Sequence, residues 1–286
     1  MRGSSGALIS VNDGEVFKYD TKITGTKVRD QGIWLHQHDE SVILPRVDEV
    51  FNNGYVMEKL KVPEIPTTYQ STFDLCSEIL TTLENHLWDL EFTEGRQLVE
   101  YNGYEHRPYV RNLLKDVGLR RLDGKLRQFY ERIKWYDLKT GLTHGDGIID
   151  NVAYRLTFEY RHAVKTPVRQ LVLLDPIPAC PALPDVVALD VGRVIQSISG
   201  YEVYRYNNDA ADADLNGVSL SRRIEVMLNS WFAVNFNLNE ARAALYFSII
   251  HSLRGVRTAQ RVAQTRVQPL VLLTEHLVKE AEKWMR

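Results

Sequence analysis

The stretch THGDGIIDNV, residues 143–152, sets a histidine, an aspartate and an asparagine in the order H-x-D-x-x-x-x-N, at His144, Asp146 and Asn151. An apolar run, LVLLDP at 171–176, follows and carries a second acid, Asp175. These residue types meet the needs of phosphoryl transfer. One carboxylate orients or accepts the proton of an attacking hydroxyl, while an amide oxygen and a second carboxylate hold a metal on nucleotide phosphates. Asp146 could do the first task and Asn151 with Asp175 the second, since Mg2+ is held by one or two carboxylates plus substrate phosphates. The competing reading is turn chemistry: Asp and Asn favour turns, and Asp175 before Pro176 could simply end a strand.

The surrounding chain must position these groups. Gly141, Gly145 and Gly147 predict a tight loop, and the β-rich runs NVAYRLTFEYRH and PVRQLVLLDP predict a hairpin beside it. Upstream, ALISVNDGEVFKYD (7–20) reads as a hairpin turning at Asn12-Asp13-Gly14. Lys18 in its second run is either a solvated edge residue or a lysine for phosphates. Gly3-Ser4-Ser5-Gly6 could be a small-residue loop that turns backbone N–H groups toward phosphates, and MRGSSG equally resembles an expression remnant. Residues 26–38 show loose helical spacing weakened by Gly32. Residues 42–60 predict two strands joined at Asn52-Asn53-Gly54, and Pro63 and Pro66 mark a linker. The expected division is a nucleotide-binding lobe over 1–62 and a catalytic and substrate-binding lobe over 63–286.

After the linker the pattern turns helical. Residues 69–90 predict a long amphipathic helix, and helical spacing returns over 109–118, 122–139 and 189–202. The four prolines of PIPACPALPD (176–185) exclude regular structure there. Residues 205–217 read as a mobile loop or lid, or as a plain surface excursion. Their Asp209, Asp212 and Asp214 lack the glycine and glutamate positions of a calcium loop. Residues 219–286 predict several packed helices broken at Asn237–Asn239, Gly255 and Pro269.

As a set, H-G-D-x-x-x-x-N followed after a β-hairpin by an apolar strand ending in Asp resembles the catalytic core of the aminoglycoside phosphotransferase and choline-kinase-like families. These are small-molecule relatives of the protein kinases, and Gly145 stands where protein kinases carry Arg. The resemblance implies an α+β, bilobal protein-kinase-like fold with a small β-rich N-lobe and a larger helical C-lobe. It implies ATP or GTP with Mg2+, Asp146 as catalytic base, Asn151 and Asp175 as Mg2+ ligands, and His144 as support for the loop. Lys18, with the Ser4–Ser5 loop, would meet the nucleotide phosphates. Backbone groups of Glu58, Lys59 and Leu60 would meet the base, and Asp190 would brace the catalytic loop. The sequence departs from the family twice. Where a helix Glu usually pairs with the lysine stands Gln31, with Asp30 adjacent, and a neutral hydrogen bond is weaker than a charge-assisted one. The first strand is also missing or shortened, because six residues precede the hairpin.

The expected acceptor is a hydroxyl of a small molecule: a sugar, an aminoglycoside-like compound or an amino alcohol. Arg254, Arg257 and Arg261 share one helical face, either solvated or meeting a phosphate, a carboxylate or nucleic acid. Asp137, Asp150, Glu202 and Asp209 could instead attract a cationic acceptor, with Tyr201, Tyr204, Trp231 and Phe232 as aromatic walls. The rival readings are a catalytically weak nucleotide-binding scaffold and a kinase acting on protein or modified nucleic acid. A net charge of -2 over 286 residues supplies no global pull toward nucleic acid or anionic membrane. Cys76 and Cys180 offer no disulfide framework or metal spacing, and no apolar run is long enough to span a bilayer. A cytoplasmic protein without a membrane partner is expected.

Overall fold

Alternating apolar residues and tight glycine turns build the first sheet. The computed structural model describes residues 7–12, 14–21, 26–66, 68–88, 106–161, 164–177, 183–202, 218–235 and 237–286. Strands β1 (Leu8–Asn12), β2 (Glu15–Tyr19), β3 (Val47–Phe51) and β4 (Gly54–Glu58) form an antiparallel sheet in the order β1-β2-β4-β3. The turn between β1 and β2 needs a backbone that L side chains rarely adopt, and Gly14 supplies it at φ 96°. Lys18 is therefore not an edge residue. It lies on β2, which runs between β1 and β4, opposite Ile9 on one side and Tyr55 on the other.

Helix α1 (Lys27–Gln37) covers this sheet with Val28, Gln31, Gly32 and Leu35, one helical stripe. Its first turn is capped from outside: the Asp20 carboxylate accepts the Val28 N–H at 3.0 Å. The glycine that weakens the helical pattern has a packing reason, since a Cβ at Gly32 would lie 2.7 Å from Tyr55 Cβ.

Strands β5 (Val152–Arg161) and β6 (Val164–Leu173) pair as a long antiparallel hairpin. Its base is tied to the first sheet's chain. Tyr154 and Lys61 exchange backbone hydrogen bonds of 2.8 and 3.2 Å, and Leu173 N–H donates to Ile43 O at 2.8 Å. Toward its tip the side chains of Leu156 and Phe158 are exposed.

The chain forms two compact units. The first comprises Met1–Glu64, His144–Gly147 and Asn151–Pro178; the second comprises Ile65–Thr143, Ile148–Asp150 and Ala179–Arg286. The expected boundary at 62/63 falls beside the end of the first segment, and the motif loop and hairpin join that segment. A small antiparallel sheet unit and a larger helical unit make the α+β class expected.

In the helical unit, α2 (Tyr69–Leu83) starts at Thr68, whose hydroxyl accepts the Ser71 N–H at 3.2 Å, and continues as a widened turn over Glu84–Trp88. Helices α3 (His106–Asp116) and α4 (Asp123–Arg132) follow, then α5 (Val187–Ile198), whose residues are all buried. Helices α6 (Leu220–Asn235), α7 (Leu238–Val262) and α8 (Val267–Trp284) complete it. Asn237 caps α7 by accepting the N–H groups of Asn239 and Glu240 at 2.9 and 3.2 Å, so the break expected there is present. The other two expected breaks are not. Gly255 lies inside α7, where its bare Cα lets the Tyr201 ring pack close; a Cβ there would sit 2.8 Å from that ring. Pro269 is the third residue of α8, where a helix has no partner for the N–H that proline lacks. No helix among the described residues is long and apolar enough to cross a membrane.

The Gly32 contact predicts that Gly32→Ala destabilises the protein by about 1–3 kcal/mol, the usual penalty for overpacking. Ordinary helix propensity would favour the same change by about 1 kcal/mol. A thermal denaturation curve decides between them, and a lowered midpoint is expected because Tyr55 Cβ is anchored to a central strand.

Candidate active site

The motif loop is held by backbone bonds to the segment that follows β6. Leu174 N–H donates to Asn151 O at 2.7 Å, one step beyond the hairpin ladder, and Ile177 N–H donates to His144 O at 2.9 Å. Gly145 has φ 72°, and a Cβ there would lie 3.1 Å from Ile177 Cβ, so glycine serves both the turn and the close approach. The His144 ring is fully buried, edge-on to Trp34, and its Nδ1 accepts the Asp146 N–H at 3.3 Å. Asn151 Nδ2 donates to Asp146 O at 2.9 Å. That bond fixes the amide and makes Oδ1 the atom it can offer to a cation. The structure thus brings His144, Asp146, Asn151 and Asp175 into one knot of chain.

Asp175 has φ 58°, a left-handed conformation uncommon outside glycine. Its carboxylate makes an ion pair with the Lys18 ammonium. Lys18 is 2% exposed. Its Nζ also donates to Gln31 Oε1 at 3.3 Å and lies 5.8 Å from the centre of the Tyr55 ring. Gln31 uses its other end as well, donating from Nε2 to Pro176 O at 2.8 Å. Burial, and after it the Asp175 charge, pushes the Tyr55 hydroxyl well above its ordinary range, so that residue stays neutral beside the pair. Hard oxygen donors on Asp175 and Asn151 fit Mg2+, and the Lys18 ammonium already demonstrates that Asp175 takes a cation.

At the end of β4 two of the backbone donors in the expected base-contact segment have partners within the protein. Glu58 N–H donates to Arg46 O at 3.1 Å and Lys59 N–H to Gly14 O at 2.9 Å, so both donors are committed within the protein. Of the expected trio this leaves Leu60 as the candidate backbone donor. The Glu58 side chain has a role that local sequence patterns do not signal, because its partner Arg155 is 97 residues away. Arg155 Nε donates to Glu58 Oε2 at 3.2 Å, and its Nη2 pairs with Oε1 and donates to Leu44 O at 2.9 Å. Burial raises the Glu58 carboxyl, but hydrogen bonds from Arg155 and Arg46 outweigh it and hold the group below its ordinary range. An open concavity of about 640 Å³ beside this strand is lined by residues such as Lys59, Lys61 and Gln170. None of Lys18, Asp146, Asn151 and Asp175 lines it, so the chemistry is not there.

The other candidates lie in the helical unit. Asp190, in the first turn of α5, is fully buried and accepts the Trp88 indole N–H at 3.1 Å. Arg254 donates to His251 Nδ1 at 3.3 Å, and Arg257 pairs with Asp116 at 3.7 Å, so both guanidinium groups have partners within the fold. Glu202 is buried and accepts the Ser197 hydroxyl at 2.6 Å, which places it in the interior. Burial, and after it the Asp150 charge, pushes its carboxyl up to about 7. Ser4, Ser5, Tyr204, the acidic stretch 205–217 and the side chains of Trp231 and Phe232 lie outside the described residues.

A Plasmodium vivax ethanolamine kinase superposes with a TM-score of 0.57 at 10% identity, over 95% of this chain and 81% of that one. The fold is shared with a small-molecule kinase. An aminoglycoside phosphotransferase from Alicyclobacillus acidocaldarius aligns over 97% of this chain and 90% of its own, at 13% identity and a TM-score of 0.43. No protein-family model and no curated protein sequence matches this chain.

Two predictions follow from the buried charges. Arg155→Ala leaves the part-buried Glu58 carboxylate with the Arg46 N–H and guanidinium alone and should lower stability by about 1 kcal/mol, because solvent screens much of the lost pair, read as a shifted denaturant midpoint. For Glu202, the folded protein holds a proton between the ordinary value of 4.5 and about 7 that the unfolded chain releases. Stability is therefore greatest below that window and falls as pH rises through 7, by up to about 3 kcal/mol. Melting temperatures at pH 5.5 and 8.5 should differ in that sense, and Glu202→Gln should reduce the difference, with the share of Glu240, which burial also raises to about 7, remaining.

Proposed function

We propose that the chain is a phosphotransferase that moves the γ-phosphoryl group of a nucleoside triphosphate, ATP or GTP, to a hydroxyl of a small molecule. The observation that carries this reading is the knot joining Asp146, Asn151 and Asp175, with Lys18 on Asp175, in a fold shared with an ethanolamine kinase. Asp146 orients the acceptor hydroxyl and takes its proton. The hydroxyl oxygen bonds to the γ-phosphorus as the bond to the β,γ-bridging oxygen breaks, and the nucleoside diphosphate leaves with that electron pair. Asn151 Oδ1 and the Asp175 carboxylate hold Mg2+, which when bound supplies charge neutralisation on the phosphates. Lys18 adds a second positive charge, fixed in place by its buried stem. His144 holds the loop by accepting the Asp146 N–H, and Leu60 offers its backbone to the base. Catalysis here is positioning and electrostatics, with no covalent step on the protein.

An amino alcohol, a sugar or an aminoglycoside-like compound is the acceptor class. The second reading, a nucleotide-binding protein without turnover, is favoured by one observation: Gln31 stands where a carboxylate would free Asp175 from Lys18. The two separate in one experiment. ATP and GTP consumption is measured with Mg2+ against a panel of amino alcohols, sugars and aminoglycosides, for the wild type and for Asp146→Asn. Turnover that falls by about 10²–10⁴ in the variant, at unchanged melting temperature, is expected. Full turnover in Asp146→Asn removes the assigned base, and nucleotide binding without any turnover supports the second reading.

A further inference from the structure

A buried ammonium must have an anion against it, because a charge in the interior without a partner is strongly destabilising. Among the described residues, three groups face Lys18 Nζ: the neutral Gln31 oxygen, the Tyr55 ring and the Asp175 carboxylate. The ring is held neutral, and the amide carries no net charge. Asp175 is thus the anion that the described residues set against Lys18.

Gln31 determines this arrangement through both ends of its amide. The oxygen accepts from Lys18 and the nitrogen donates to Pro176 O, the carbonyl directly after Asp175. A carboxylate could not make the second bond; it would set an oxygen against a carbonyl oxygen. It would, however, give Lys18 a second anion and so loosen its hold on Asp175. The amide does the opposite. It holds the Asp175–Pro176 turn beside the lysine and adds no second charge for the lysine to pair with.

We propose that Lys18 is the resident cation on Asp175, that Gln31 is the positioning residue that keeps it there, and that a divalent metal ion loads only together with a polyphosphate. The inference rests on the phosphotransferase reading. A metal arriving alone would displace Lys18 and leave a buried ammonium uncompensated. A metal arriving with a polyphosphate brings replacement anions for Lys18, and Asp175 is released to the metal. Metal and polyphosphate therefore bind with positive coupling, and each raises the affinity for the other by the same factor.

The test is Mn2+ binding, followed by electron paramagnetic resonance of the free ion, with and without a non-hydrolysable ATP analogue, the Mn2+ taken up by the analogue alone being measured without protein and subtracted. It is run on the wild type, Gln31→Glu, Lys18→Met and Lys18→Met/Asp175→Asn, each checked for a cooperative melt. The wild type should bind Mn2+ at least about tenfold more tightly with the analogue than without it, a coupling of ordinary size. Without nucleotide, Gln31→Glu and Lys18→Met should each bind Mn2+ several-fold more tightly than the wild type, and the double variant should lose that gain. Lys18→Met keeps the test decisive if Gln31→Glu fails to fold after losing the Pro176 bond. Wild-type protein that binds Mn2+ alone as tightly as Lys18→Met overturns the proposal and leaves the phosphotransferase reading standing. A gain in Lys18→Met with none in a folded Gln31→Glu overturns the role given to Gln31. Absence of any Mn2+–analogue binding in the wild type overturns both the proposal and the phosphotransferase reading.

Discussion

One buried ammonium organises the first unit. Lys18 extends from a strand with neighbours on both sides and is almost wholly buried, and the elements around it are arranged to answer its charge. The foot of the β5–β6 hairpin brings Asp175, α1 brings Gln31, and β4 brings Tyr55. Leaving such a charge uncompensated costs about 3–5 kcal/mol, against a total stability of only about 5–15 kcal/mol for a typical protein. The placements of these elements are therefore interdependent. Gly32 admits α1 against Tyr55, and that close approach carries Gln31 within reach of Lys18.

Much of this could be read in the sequence because its signals are local. The Asn-Asn-Gly and Asn-Asp-Gly turns, the alternation of the strands and the helical stripes of α1, α2 and α5 depend on neighbours a few residues away, and those elements formed where expected. The polar set of the motif loop was likewise legible from its spacing. What escaped depends on partners distant in the chain. The Glu58 carboxylate is engaged by Arg155, and Gln31 reaches Pro176 across 145 residues. Local rules misread Gly255, whose reason is the Tyr201 ring, and Pro269, whose position in the first turn excuses it. A helical face of arginines also says nothing of what meets it, and Asp116 and His251 engage two of them.

The low identity to the ethanolamine kinase is instructive in the same terms. At 10% identity few individual core residues can be shared, so what carries the common fold is pattern: strand period, helical stripe and turn placement. Apolar positions can exchange freely if size and spacing hold. A polar group whose hydrogen bonds stitch two segments has no such freedom.

The hairpin between Asn151 and Asp175 sets a rule of parity. Both residues stand at the feet of one ladder, whose register runs unbroken from Val152 opposite Leu173 to Arg161 opposite Val164. Adding or removing one residue in each strand lengthens or shortens the arm and leaves its feet facing each other. A single added residue forces a bulge or shifts one foot by a strand step of about 3.4 Å. The interval between the two residues can therefore vary widely, but most readily two residues at a time. Each such step turns the tip over while the feet stay still, so a search for this pair by fixed distance along a chain would pass over arms of any other length.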